Sequence, residues 1–171
     1  MDEIKTKIRD IADFPEPGVL FKDITPLMQS PVLLRQAVEL LIAPYRNSGI
    51  TAVAGMEARG FIFGSLAASM LEVGFIPLRK PGKLPHITHK VEYQLEYGEN
   101  SLEIHADAVA ENGNILIVDD VLATGVTAKA SCELIQLLGG NVVGCAFLME
   151  ITALNGRSLL TDFNVHSVIQ Y

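Results

Sequence analysis

Tryptophan is absent, and cysteine occurs only twice, at Cys132 and Cys145. Neither cysteine belongs to a CxxC pair, so no disulfide framework is expected. Both fall in apolar stretches, where a buried free thiol is the natural reading. Such cysteine usage suits a reducing cytoplasm. Positive charge is also scarce: 13 basic against 20 acidic side chains leave a formal charge of -7. That balance argues against a general nucleic-acid or membrane-surface binder. A long uninterrupted apolar run is missing too. The most apolar stretch, Phe61 to Leu78, contains Glu72, Gly74 and Pro77, so it reads as a buried helix and strand rather than a membrane span. Met1-Asp2-Glu3 is acidic and has no apolar core, so no secretory signal is expected there.

What is present is a chain of 171 residues, 49% of them hydrophobic. That predicts a single domain over residues 1–171 with a substantial core. Ile4, Ile8 and Ile11 recur at helical spacing, predicting a short N-terminal helix. Phe14 to Pro26 is rich in proline and predicts an ordered irregular loop. Ser30-Pro31 opens a helix with proline at its first position. Leu34, Ala37, Val38, Leu41 and Tyr45 form the buried stripe of that helix, and Gly49 stops it. Four short apolar runs follow: Ile50 to Met56, Phe75 to Leu78, Ile115 to Val118 and Val142 to Met149. Their near-continuous hydrophobicity predicts strands buried on both faces. Helical patterns at Phe61–Val73 and Ala128–Leu138 lie between them, ended by Gly74 and by Gly139-Gly140. Strand–helix–strand order predicts an α/β fold with a central, mainly parallel sheet flanked by helices. Val91 to Tyr97 and Leu102 to His105 alternate with period two, predicting a β-hairpin. The basic segment 79–85 precedes it, and loop and hairpin together (about 79–105) read as a lid.

The most informative run is Ile115 to Thr127. A buried strand ends in Asp119-Asp120, a turn of small residues follows, and a helix begins beyond it. Ligands of open α/β sheets bind past the carboxyl ends of strands. Free amides and the dipole at a helix start favour a phosphate. Thr124 and Thr127 add hydroxyl donors, and Gly125 lets the backbone fold closely around an anion. Asp119 and Asp120 would repel that phosphate, so hydroxyls are their sensible partners. A phosphate beside a diol describes ribose 5-phosphate. The dull alternative makes the two acids turn caps and Thr127 a helix cap. Neither GxxxxGK[ST] nor GxGxxG is present.

This run resembles the phosphoribosyl pyrophosphate loop of the type I phosphoribosyltransferases. From about Ile11 onward the chain resembles the adenine-using members of that family. The matching segments are 14–24 (Phe14-Pro15-Glu16-Pro17-Gly18-Val19-Leu20-Phe21-Lys22-Asp23-Ile24), Glu57-Ala58-Arg59-Gly60-Phe61-Ile62-Phe63-Gly64, Arg79-Lys80-Pro81-Gly82-Lys83-Leu84-Pro85 and Leu95-Glu96-Tyr97-Gly98. The resemblance implies transfer of the 5-phosphoribosyl group from phosphoribosyl pyrophosphate to adenine, giving AMP and pyrophosphate. It also implies a small N-terminal hood (about 11–30) and a homodimer.

By resemblance, Ala123, Thr124, Gly125, Val126 and Thr127 would hold the 5-phosphate, and Asp119 and Asp120 the ribose hydroxyls. Val126 stands where the family usually has a second glycine. A β-branched residue with positive φ is an outlier, so negative φ is expected at Val126. The turn at 57–60 is assigned to pyrophosphate, with Arg59 as the charged donor; otherwise Arg59 is a surface arginine near a helix start. A cis bond at Glu57–Ala58 or Ala58–Arg59 is a further expectation. Arg79, Lys80 and Lys83 would meet the pyrophosphate, from this subunit or a partner's; otherwise they are a solvated face. Tyr93 would close over the site or is an ordinary hairpin aromatic. Glu96 either handles a proton at the base or faces solvent. Backbone groups of Leu20 and Lys22 and packing by Phe21 would receive the base; otherwise Phe21 belongs to the core. His86 and His89 lack further ligands, so no built-in metal site is expected. Mg²⁺ would be carried by the pyrophosphate substrate. Competing readings are a different purine base (hypoxanthine, guanine or xanthine), a non-catalytic sensor of phosphoribosyl pyrophosphate, and a synthase of that compound. The sensor lacks a DNA-binding extension here, and the synthase lacks an ATP loop.

Overall fold

The computed structural model describes residues 2–95 and 98–171. After a short helix α1 (Asp2–Thr6), strands β1 (Arg9–Ala12) and β2 (Leu20–Asp23) form a small antiparallel hairpin. Helices α2 (Thr25–Met28) and α3 (Pro31–Ile42) follow. The central part runs β3 (Ala52–Met56), α4 (Gly60–Leu71) and β4 (Gly74–Leu78). A second hairpin, β5 (Thr88–Leu95) and β6 (Gly98–His105), interrupts it. The chain then returns through β7 (Asn114–Leu122), α5 (Val126–Leu137), β8 (Asn141–Glu150) and β9 (Val165–Gln170).

The main sheet has the order β4-β3-β7-β8-β9, and every pair in it is parallel. Successive side chains of a strand point to opposite faces, and the core divides accordingly. Val53, Leu116, Val118, Ala146 and Leu148 pack on one face with α1, α3 and α4. Ala54, Met56, Ile115, Ile117, Cys145 and Phe147 pack on the other with α5 and the β5–β6 hairpin. Burial on both faces explains the unbroken apolar strands. Cys132 of α5 and Cys145 of β8 are free and buried in the second cluster, with sulfurs 3.5 Å apart.

Several elements depart from the sequence expectation. Helix α1 stops at Thr6, and Ile11 lies in β1, because Ile11 pairs with Phe21 across the first hairpin. The expected loop 14–26 therefore ends in a strand and the start of α2. Helix α3 begins as expected, with Ser30 accepting from the Leu33 amide at 3.4 Å. It ends at Ile42, before a 3₁₀ turn through Pro44, well ahead of Gly49. Helix α4 is closed by Glu72 in the left-handed conformation, which leaves Gly74 to open β4. Strand β7 does not stop at Val118 but carries both aspartates onward to Leu122, paired with β8 as far as Glu150. No helix among the described residues is long and apolar enough to cross a membrane.

Candidate active site

A cavity of about 280 Å³ opens beyond the carboxyl ends of β3, β7 and β8, where open parallel sheets bind ligands. The turn Glu57–Arg59 lines one side, and Asp119 to Gly125 with Thr127 line the other. Gly125 has φ 82° and turns the chain from β7 into α5. Helix α5 then begins at Val126 with no side-chain cap, so its first amides have no partner within the helix. Val126 is helical, and its φ is not positive. The residue that must be glycine here is the one before it.

Asp120 is buried, and Asp119 is half-buried. Asp119 accepts a hydrogen bond from the Asp120 amide through Oδ1 at 2.9 Å. Burial pushes the Asp119 carboxyl well above the usual carboxylate range, and the adjacent Asp120 charge adds to the shift. Burial also raises Asp120, while the Arg59 guanidinium pulls it back. Arg59 Nη2 lies 2.8 Å from Asp120 Oδ2. The absence of a side chain on Gly60 permits the close approach of Asp119, since a Cβ there would lie 2.7 Å from Asp119 Oδ1. The peptide bond Glu57–Ala58 is cis, at one of the two expected positions.

A second, more apolar cavity of about 400 Å³ adjoins the first through Arg59, Val121 and Ala123. Leu20, Phe21 and Lys22 of β2 form one wall, with Met149 and Leu154 opposite. Phe21 is half-buried and lines this cavity, so it is not a core residue. Phe21 meets Phe14 edge-on at 5.1 Å, and Arg59 lies over its ring at 4.9 Å. The Lys22 side chain turns away, to Asp10 at 2.6 Å and over the Tyr171 ring at 3.8 Å. Its carbonyl accepts from Arg59 Nη1 at 3.3 Å. Arg59 thus ties the apolar cavity to the carboxylates.

The basic loop is fastened beside the cavity rather than lining it. Arg79 donates to both Glu57 oxygens, at 3.1 and 3.5 Å, and to the Lys83 carbonyl at 3.1 Å. The Lys80 amide donates to Glu57 at 3.1 Å. The Arg79 guanidinium holds the Glu57 carboxyl below its ordinary value. The Lys80 and Lys83 side chains are exposed. Tyr93 is half-buried against the core cluster that includes Ile104 and Leu134. Glu96 lies outside the described residues.

Sequence reasoning missed Glu57 as the anchor of the loop. A carboxylate two positions before an arginine, with a basic cluster downstream, was its signal. It missed Gly60 as the space for Asp119, and Gly156. A Cβ on Gly156 would lie 2.7 Å from the Gly125 nitrogen. Nothing local in the sequence marks that contact.

Comparison with known proteins identifies the family. The profile of the phosphoribosyl transferase domain matches residues 29–169. Adenine phosphoribosyltransferase of Nitrosococcus oceani is 59% identical over 171 residues, covering 100% of both chains. The crystal structure of adenine phosphoribosyltransferase from Rhodothermus marinus superimposes with a TM-score of 0.96 at 50% identity, covering 99% of this chain and 97% of that one. The Saccharomyces cerevisiae enzyme, complexed with an imino-altritol bisphosphate and adenine, gives 0.92 at 37% identity, covering 98% and 97%. On fold, on site geometry and on likeness over its whole length, this chain belongs to the adenine phosphoribosyltransferase family.

Proposed function

We infer that these two adjoining cavities are where the protein transfers the 5-phosphoribosyl group from phosphoribosyl pyrophosphate to adenine, giving AMP and pyrophosphate. One observation carries the reading. The cavity that holds the uncapped helix amides and the paired carboxylates adjoins the apolar cavity through Arg59, Val121 and Ala123, as phosphate, ribose and base require. The amides of residues 124–127 and the hydroxyls of Thr124 and Thr127 bind the 5-phosphate. Asp119 and Asp120 accept from the ribose hydroxyls, and Phe21 with the backbone of Leu20 and Lys22 receives the base.

Pyrophosphate leaves on the side of the Glu57–Gly60 turn. Arg59, Arg79, Lys80 and Lys83 supply the positive charge there. The loop bearing Arg79 is held by Glu57 until substrate competes for it. Among the described residues, no three His, Cys, Asp or Glu side chains stand close enough to hold a metal ion. Mg²⁺ would arrive with phosphoribosyl pyrophosphate, bound through phosphate oxygens and water. When present, it neutralises charge on the departing group.

A base nitrogen forms its bond to C1 of the ribose as the bond to pyrophosphate breaks, through an oxocarbenium-like state. The protein acts by aligning the partners and by electrostatics, without a covalent nucleophile. Glu96 takes the proton of the base, and Tyr93 closes the lid against water. The chain works as a homodimer in the cytoplasm; light scattering should give twice 18.5 kDa. Incubation with phosphoribosyl pyrophosphate, Mg²⁺ and single bases tests the reaction. Pyrophosphate release is expected with adenine, and faster release with hypoxanthine, guanine or xanthine would overturn the base assignment.

A further inference from the structure

The phosphate-binding loop does not hold its shape alone. Gly156 sits directly behind it. A Cβ on Gly125 would lie 2.9 Å from the Gly156 carbonyl carbon, and a Cβ on Gly156 would lie 2.9 Å from the Thr124 carbonyl carbon. The two backbones are in contact with no side chain between them. A shift of Gly156 therefore displaces residues 123–125.

Gly156 is fixed in turn by its neighbour Arg157. Arg157 Nη2 and Nε donate to the two oxygens of Glu150 at 2.6 and 3.1 Å. Nη1 donates to the Val165 carbonyl at 2.8 Å, and Nη2 also reaches Ser167 Oγ at 3.3 Å. Glu150 is buried, and it pairs with Leu122 at the very end of β7, where the phosphate loop begins. The Ile151 amide donates to the Leu122 carbonyl at 2.9 Å. Arg157 thus clamps the 3₁₀ segment Gly156–Leu160 to the end of β8 and the first half of β9. The bidentate form of the contact fixes orientation as well as distance.

We propose that Arg157 is a positioning residue for binding of the 5-phosphate, acting through Gly156 on the backbone of residues 123–125. The inference rests on the assignment of that loop to the phosphate of phosphoribosyl pyrophosphate. It adds a residue 30 or more positions downstream of the loop that touches no substrate.

The test compares Arg157→Ala, Arg157→Lys and Glu150→Gln in steady-state kinetics with each substrate varied in turn. A small displacement of a binding group is costly to affinity and rate. Arg157→Ala should raise KM for phosphoribosyl pyrophosphate by about tenfold, with KM for adenine changed by less than about twofold. Arg157→Lys should recover part of the loss, because it keeps the charge but not the fork. A purely structural role would lower kcat as active protein is lost and leave both KM values alone; that result overturns the proposal. If Arg157→Ala does not fold, the other two variants decide. A raised KM for phosphoribosyl pyrophosphate in them supports the proposal, and an unchanged one overturns it. Failure of the wild-type protein to form AMP in the same assay would instead strike the functional reading.

Discussion

At Asp119 and Asp120, burial opposes ionisation, and among the described residues Arg59 is the one cation in direct ion-pair contact, 2.8 Å from Asp120. Two acids so placed are costly for folding, and in the proposed function they hold a diol. Asp120→Asn keeps the shape but weakens acceptance from ribose hydroxyls. A hydrogen bond to a charged group contributes about 1.5–3 kcal/mol. The variant should therefore lose about 10- to 100-fold in kcat/KM for phosphoribosyl pyrophosphate, and undiminished turnover would remove Asp120 from the site. Asp119 makes the opposite prediction for stability. Its folded carboxyl binds a proton more tightly than the unfolded chain does, so its unfavourable charge appears as pH rises from 3.8 through the raised value. Asp119→Asn should melt higher than wild type at neutral pH, with the gap closing as the solution is acidified. Thermal melts across that range check this, and a lower melting temperature at neutral pH would contradict it.

Among the elements, the β7–α5 junction and the turn after β3 hold the chemistry in the proposed function. Val126 occupies the first turn of α5 with helical backbone, so the glycine usual in the family is not required by geometry. Val126→Gly should cost about 0.5–1 kcal/mol in stability and leave KM for phosphoribosyl pyrophosphate unchanged. Denaturant melts and kinetics together measure it; a marked gain in affinity would mean that the valine obstructs the loop. Glu57→Gln should free Arg79 and Lys80 from the turn. The loss of a partly exposed pair is modest, about 0.2–1 kcal/mol, so KM for phosphoribosyl pyrophosphate should change about two- to fivefold. The β7 loop was legible because strand, paired acids, small turn and helix start lie within one short run. The first hairpin was not, since all four residues of β1 are exposed and give no alternation. Strand β9 was also missed: Val165-His166-Ser167-Val168-Ile169-Gln170 is half polar and lies at the sheet edge.

Over the whole molecule, a parallel sheet covered on both faces leaves its carboxyl end as the place for a charged substrate. The residues that line the candidate site could be picked out in the sequence because they sit next to strand ends. Its supports, Gly60 behind Asp119 and Gly156 behind Gly125, could not, because each acts across a contact between distant segments. Acidic as the chain is, with formal charge -7, on the proposed reading it would meet a phosphorylated ligand through backbone amides and a few arginines. AMP should stabilise it by mass action, by about 2.7 kcal/mol at a hundred times its Kd, measurable as a rise in Tm. A crystal structure with AMP bound is the sharpest check. The phosphate should accept from the amides of residues 124–127, the ribose hydroxyls should donate to Asp119 and Asp120, and adenine should lie beside Phe21. A nucleotide lodged elsewhere, with Thr124 and Asp120 untouched, would contradict the assignment.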